Sequence, residues 1–161
     1  MKLVTFRHST GHDRAGVIAG EHVIDLARAF ASYEHARGRR CDEAHVFDRY
    51  GRGVLGFVEH ASRARPVADE IVEAYARGAF PETFEGAPIA LPLSRVTLRA
   101  PIPRPPSMRD GYAFRQHVLT ARRNRGLEMI PEFDQFPVFY FTNAAGVVGP
   151  GDVQVEAAHL D

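Results

Sequence analysis

The sequence predicts an α+β fold in which a mixed N-terminal segment is followed by a β-rich one. Apolar and polar residues alternate near the N-terminus as in strands, and apolar residues spaced four apart then indicate helices. After Pro92 the chain again alternates and includes an aromatic run. We therefore expect an N-terminal α+β domain over residues 1–92 and a second domain over residues 93–161.

Three short strands are predicted at the start of the chain. Lys2–Arg7 alternates along its length, and Gly16–Leu26 holds two apolar runs separated by Gly20 and Glu21. Glycine allows the positive φ of a tight turn, so the second and third strands are predicted to form a hairpin.

Three helices are predicted after this hairpin. Asp25 is placed to cap the first, which ends near Gly38. The other two are predicted over Gly53–Ala64 and Pro66–Ala79. A proline is tolerated in the first turn, because the first helical amides have no partner within the helix. The histidines of this segment show no metal-ligand spacing and are predicted to be structural or exposed.

The second segment begins with a strand and a proline-rich arm. Arg95–Arg99 reads as a strand, and four prolines between Pro101 and Pro106 are predicted to hold the backbone extended. Pro137–Phe141 is a further β-rich run, and a tight turn at Gly149–Asp152 precedes Val153–Val155.

Composition excludes several classes of function. Twenty basic residues balance twenty acidic ones, so no global field attracts nucleic acid or an anionic membrane. The lone Cys41 allows no intrachain disulfide, and neither a signal peptide nor a membrane-spanning run is present. We expect a cytoplasmic protein. Arginines crowd residues 104–125, where either an anionic ligand or a solvated basic helix face accounts for them.

Asp110, Tyr112 and His117 bring a carboxylate, a phenol and an imidazole close together in sequence. If Asp110 stands at the start of a helix that includes His117, their side chains share one face with Cα atoms roughly 10 Å apart. A metal, a water or a substrate must then lie between them. The alternative is structural: Asp110 is an N-cap, His117 is packed, and Tyr112 and Tyr140 are core aromatics.

Three motifs carry a stronger signal. Ala100–His117, Phe136–Asn143 (Phe-Pro-Val-Phe-Tyr-Phe-Thr-Asn) and Gly149–Asp152 (Gly-Pro-Gly-Asp) together strongly resemble the fumarylacetoacetate hydrolase family. The resemblance implies that residues 93–161 are the first part of a mixed β-sandwich or β-roll catalytic domain, in a protein that is a homodimer at full length. It also implies hydrolysis of a carbon-carbon bond in a 1,3-diketo acid substrate, with Mg²⁺, Ca²⁺ or Mn²⁺ held by carboxylates.

The resemblance also implies roles for individual residues. Asp110 corresponds to the first metal carboxylate, and His117 to the base that activates water. Tyr112 and Tyr140 correspond to substrate contacts. The arginine that binds the substrate carboxylate falls at Arg125, with Arg122 as the alternative.

Two departures from the family pattern affect these expectations. Asp110-Gly111-Tyr112 stands where the family has Asp-Phe-Tyr, which loosens the backbone and widens the pocket. The family's Glu-x-Glu metal ligands do not occur up to Asp161, so we expect an incomplete and inactive chain. A 2-oxo acid decarboxylase, hydratase or isomerase of the same fold remains an alternative. So does a non-catalytic binding fragment, and nucleic-acid binding is the least favoured.

Overall fold

The computed structural model describes residues 1–41 and 43–156, except for the side chain of residue 43. It confirms the α+β class. The chain divides into two compact units, one of Met1–Pro103 with the described part of Val148–Asp161, the other of Arg104–Val147. This division does not coincide with the predicted boundary at residue 92, and the functional domain assignment remains a prediction.

The first unit is built on a five-stranded antiparallel sheet. Its strands are β1 (Leu3–Arg7), β2 (Asp13–Ala19), β3 (His22–Asp25), β6 (Ala90–Pro92) and β7 (Thr97–Leu98), and a separate hairpin is formed by β4 (Thr83–Phe84) and β5 (Ala87–Pro88). The spatial order is β6-β3-β2-β1-β7. The three predicted N-terminal strands and their hairpin are confirmed. Of the strand predicted at Arg95–Arg99, only β7 is formed, because Leu93–Arg95 is a 3-10 turn.

Four helices follow or cover this sheet. They are α1 (Leu26–His35), α2 (Glu43–Tyr50), α3 (Gly53–Glu59) and α4 (Ala61–Ala76). The α2 helix was not predicted. The boundaries predicted for α3 and α4 are wrong, because α3 ends before His60 and α4 begins directly after it. The His60 carbonyl accepts the amides of Arg63 and Ala64, which starts the new helix. Pro66 therefore lies inside α4 rather than in its first turn.

The core lies between the sheet and these helices. Its members are the buried apolar residues Val17, Ile24, Leu26, Phe30, Tyr50, Phe57, Ala68, Ile71 and Ile89. Ile71 and Ala68 are the core residues that α4 contributes to this list. Tyr50 is the largest of these side chains, and its burial raises its pKa to about 12. No described helix combines the length and apolar character needed to cross a bilayer.

Thr5 connects β1 to α3 and to the end of the first unit's continuous segment. Its Oγ1 donates to the Pro101 carbonyl at 2.6 Å and accepts the Val54 amide at 2.8 Å. A Cβ on Gly53 would lie 2.5 Å from this oxygen, and Gly53 has φ +67°. Only glycine satisfies both the close approach and the backbone conformation at the start of α3.

The second unit contains little regular structure. It consists of a ribbon of β8 (Arg109–Gly111) with β9 (Phe139–Phe141), the helix α5 (Arg115–Arg123) and short 3-10 turns at Pro131–Asp134 and Ala144–Gly146. Val118 is the buried apolar residue of this unit among those described. The strand predicted over Pro137–Phe141 is confirmed in part.

The prediction for the proline arm is wrong. The arm bends at residues 101–104 instead of staying extended, because a fixed φ does not fix ψ. Val153–Val155 has no regular secondary structure.

Replacing Asp25 is expected to destabilise the protein strongly. Its carboxylate is fully buried, caps α1 and pairs with Arg14, so Asp25→Ala should lower the free energy of unfolding by about 3 kcal/mol. Asp25→Asn should cost less, because its amide oxygen still accepts the helix amides. Urea unfolding followed by circular dichroism measures both. The exposed pair Arg52–Glu59 supplies the control, since Glu59→Gln should cost less than about 1 kcal/mol. Equal losses from Asp25→Ala and Glu59→Gln would contradict the assignment.

His8 is expected to make folding depend on pH. Burial, followed by the Arg14 guanidinium, lowers the pKa of His8 from its ordinary 6.5. The unfolded chain then binds the proton more readily, so this stability is full above the unfolded pKa and is lost as pH falls below it. His8→Asn keeps an acceptor for the Thr10 amide without a titrating ring. The melting temperature of wild type should therefore fall more than that of His8→Asn between about pH 8 and pH 5. Parallel declines would show that His8 is not responsible.

Candidate active site

Asp110 and Tyr140 face each other across the ribbon of the second unit. They are paired residues of β8 and β9, and the Tyr140 hydroxyl donates to Asp110 Oδ2 at 2.6 Å. This hydrogen bond, with the adjacent negative charge, raises the pKa of Tyr140. The phenol thus keeps its proton at neutral pH, and one oxygen of Asp110 is already engaged.

The prediction that Asp110 starts the helix containing His117 is wrong. Asp110 lies within β8, and α5 begins only at Arg115, with Phe114 in extended backbone before it. Pairing with the aromatic strand β9 holds Asp110 in extended conformation. The argument that both side chains share one helix face therefore does not apply.

Tyr112 and His117 form a second contact in the same unit. Their rings are stacked, with centroids 6.3 Å apart and planes inclined by 27°. The Tyr112 amide donates to the Val138 carbonyl at 3.1 Å, which continues the ribbon beyond β8. Tyr112 also contributes to the raised pKa of Tyr140, so it lies near the Asp110–Tyr140 pair. Tyr112 thus links the two contacts into one cluster, which we call the Asp110 cluster: Asp110, Tyr112, His117 and Tyr140.

The structure does not bring the predicted arginines into the Asp110 cluster. Arg125 lies in the turn after α5, where its amide donates to the Arg122 carbonyl at 2.9 Å. The side chain of Arg125 is exposed and has no ion pair among the described residues. Arg122 directs its Nε to the Glu128 carbonyl.

Sequence reasoning missed a groove beside the Asp110 cluster. It has a volume of about 650 Å³, and its walls include Arg109, Tyr112, Phe136 and Phe139. The Arg109 guanidinium also lies 4.6 Å from the ring centre of Phe141. The aromatic run of Pro137–Phe141 is the sequence signal that could have indicated an aromatic wall here.

The described residues do not by themselves form a site for Mg²⁺. Within residues 1–41 and 43–156, no three His, Cys, Asp or Glu side chains stand close enough to hold a metal ion. Asp110 is the carboxylate of its cluster, and Mg²⁺ or Ca²⁺ requires about six oxygen ligands. Any metal at Asp110 needs further oxygen ligands from elsewhere.

Comparison with protein-family models and with curated proteins finds no match to this chain. The resemblance to the fumarylacetoacetate hydrolase family therefore rests on the sequence motifs alone.

Removing the charge of Asp110 is expected to lower the pKa of Tyr140. Asp110→Asn loses the charged acceptor that keeps the phenol protonated, so Tyr140 should ionise at lower pH. Tyrosinate absorbance during a base titration reports the change, with Tyr140→Phe identifying its share of the signal. Asp134→Asn is the matched control, because Asp134 pairs with Arg115 in the same unit. The hydrogen bond would be refuted by an unchanged Tyr140 titration in Asp110→Asn.

Proposed function

We propose that this chain carries part of the active site of a metal-dependent hydrolase that cleaves a carbon-carbon bond in a 1,3-diketo acid of the fumarylacetoacetate or acylpyruvate type. The observation that carries the proposal is the hydrogen bond of Tyr140 to Asp110, 30 residues away in sequence. The motifs assign roles to both residues. Tyr112 lies near this pair, and the Tyr112 ring stacks on that of His117. The mixed β-sandwich or β-roll, the homodimer and a cytoplasmic location belong to the same proposal.

His117 is the proposed general base. A neutral imidazole accepts a proton from water near neutral pH, and the resulting hydroxide attacks the carbonyl carbon at the scissile bond. The tetrahedral adduct then collapses, and its carbon-carbon bond breaks to leave a carboxylic acid and an enolate, which takes up a proton. The stacked Tyr112 ring restricts the orientation of the His117 ring.

The proposal assigns the substrate carboxylate to Arg125 in preference to Arg122, although the structure brings neither side chain into the Asp110 cluster. A guanidinium binds a carboxylate through two parallel N–H donors, which requires donors that are free. The Arg122 Nε is already directed to a backbone carbonyl, whereas the described structure gives Arg125 no ion pair. Arg125 is also exposed, so it can reach a ligand in solution.

The proposed metal requires carboxylate ligands in addition to Asp110. Asp110 would supply one carboxylate to Mg²⁺, Ca²⁺ or Mn²⁺, and the remaining ligands must come from outside the described residues. That same requirement favours the second candidate function, a non-catalytic fragment that binds an anion. A decarboxylase, hydratase or isomerase of 2-oxo acids with the same fold is the other alternative, because the residues that decide between these reactions are those around the leaving group and in a lid.

Hydrolysis of an acylpyruvate tests the proposal. The full-length protein should turn over this substrate with Mg²⁺, and His117→Ala should lower kcat on the order of 10²-fold. His22→Ala is the matched control, because His22 is an exposed histidine of β3 in the first unit. Arg125→Ala should mainly raise KM, whereas Arg122→Ala should change it less.

Three results would decide against parts of this proposal. Turnover within a few-fold of wild type in His117→Ala would refute the base, and a larger KM effect at Arg122 would reassign the carboxylate contact. No Mg²⁺-dependent turnover, together with saturable binding of the acylpyruvate, would favour the non-catalytic alternative.

A further inference from the structure

A second concave site lies wholly within the first unit. It has a volume of about 710 Å³, which is the size of a small-molecule pocket. Its walls come from β2, α1, the segment Arg39–Cys41, α2 and the β4–β5 hairpin, and we call it the arginine groove. The sequence predicted no chemical site in this part of the chain.

Four arginines line the arginine groove, and two of them have no carboxylate partner among the described residues. Arg14 pairs with Asp25 at 2.7 Å, and Arg39 approaches Glu34 at 3.5 Å. Arg28 donates to the neutral carbonyl of Pro88 at 2.7 Å, and the described residues give Arg40 no ion pair. Two guanidinium charges therefore face the groove without compensation by a carboxylate contact.

The remaining walls are apolar and aromatic. They include Ala27, Ala31, Val46, Phe47 and Phe84. The Phe84 ring lies 5.7 Å from the ring of His35, which also lines the groove. Such walls favour burial of a planar apolar body, while the guanidinium groups favour an anionic end.

Among the described lining residues, Glu85 is the acidic one. It occupies the tip of the β4–β5 hairpin with φ +50°, a conformation that is rare for any residue with a side chain. Its negative charge opposes an anion in the groove, so its removal should have the opposite effect from removal of an arginine.

We infer that the arginine groove binds a small organic anion with a planar apolar body and a carboxylate or phosphate group. Charge-assisted hydrogen bonds from Arg28 and Arg40 hold the anionic end, and Phe47 or Phe84 covers the body. This inference concerns the first unit alone and does not depend on the proposed hydrolase function.

Calorimetric titration of the 161-residue chain with phenyl phosphate tests the inference. Phenyl phosphate should bind saturably and more tightly than either inorganic phosphate or phenol. Arg28→Gln and Arg40→Gln should each weaken binding about tenfold, and Glu85→Gln should strengthen it. Arg40 is exposed, so its variant keeps the test valid even where Arg28→Gln loses stability through its contact with Pro88.

Arg63→Gln is the matched control for charge. Arg63 is exposed on α4 and does not line the groove, so its variant should bind phenyl phosphate like wild type. The inference is overturned if Arg63→Gln weakens binding as much as Arg40→Gln does. It is equally overturned if phenol binds as tightly as phenyl phosphate, or if phenyl phosphate shows no saturable binding. Benzoate in place of phenyl phosphate then distinguishes a carboxylate site from a phosphate site.

Discussion

The fold of the first unit depends on one buried carboxylate. Asp25 has no exposed surface, and a charge in that position is tolerated only when it is paired and hydrogen-bonded. Its partners come from separate elements: Arg14 of β2 at 2.7 Å, and the Ala27 amide at the start of α1 at 3.0 Å. Its own amide donates to the Ile89 carbonyl beside β6 at 2.9 Å. One residue thus fixes where α1 begins, where β2 and β6 lie around β3, and where the Arg14 side chain stands in the arginine groove.

Local signals explain what could be predicted of this unit. The β2–β3 hairpin and the Asp25 cap depend on neighbouring residues, so the sequence predicted them correctly. The α2 helix depends on tertiary packing, since Tyr50 at its end lies 5.3 Å from the ring of Phe30 in α1. No single-sequence pattern reports such a contact. The arginine groove was missed for the same reason, because its four arginines come from β2, α1 and the segment after α1.

In the second unit, the motifs indicated which residues lie near each other, whereas the sequence spacing did not give their arrangement. The resemblance selected Asp110, Tyr112, His117 and Tyr140, and these residues do lie in two linked contacts. The spacing argument nevertheless gave the wrong arrangement, because it assumed one continuous helix. A pairing between strands 30 residues apart cannot be read from a separation of seven residues. Tyr140 therefore donates a hydrogen bond directly to Asp110, the proposed metal carboxylate. The expected role of Tyr140 as a substrate contact does not require this hydrogen bond.

Gly111 illustrates the difference between a residue that the backbone needs and one that shapes a surface. Gly111 does not have a positive φ. A Cβ at this position would lie 3.8 Å from the Val138 carbonyl oxygen and 3.9 Å from Phe139 Cβ. Both are ordinary van der Waals distances, so neither conformation nor crowding requires glycine. Gly111 does line the groove beside Tyr112 and Phe139. Its missing side chain therefore leaves that wall open and enlarges the volume available to a ligand. The Asp110–Tyr140 pairing does not depend on Gly111 in this way, because it is set by the register of β8 and β9.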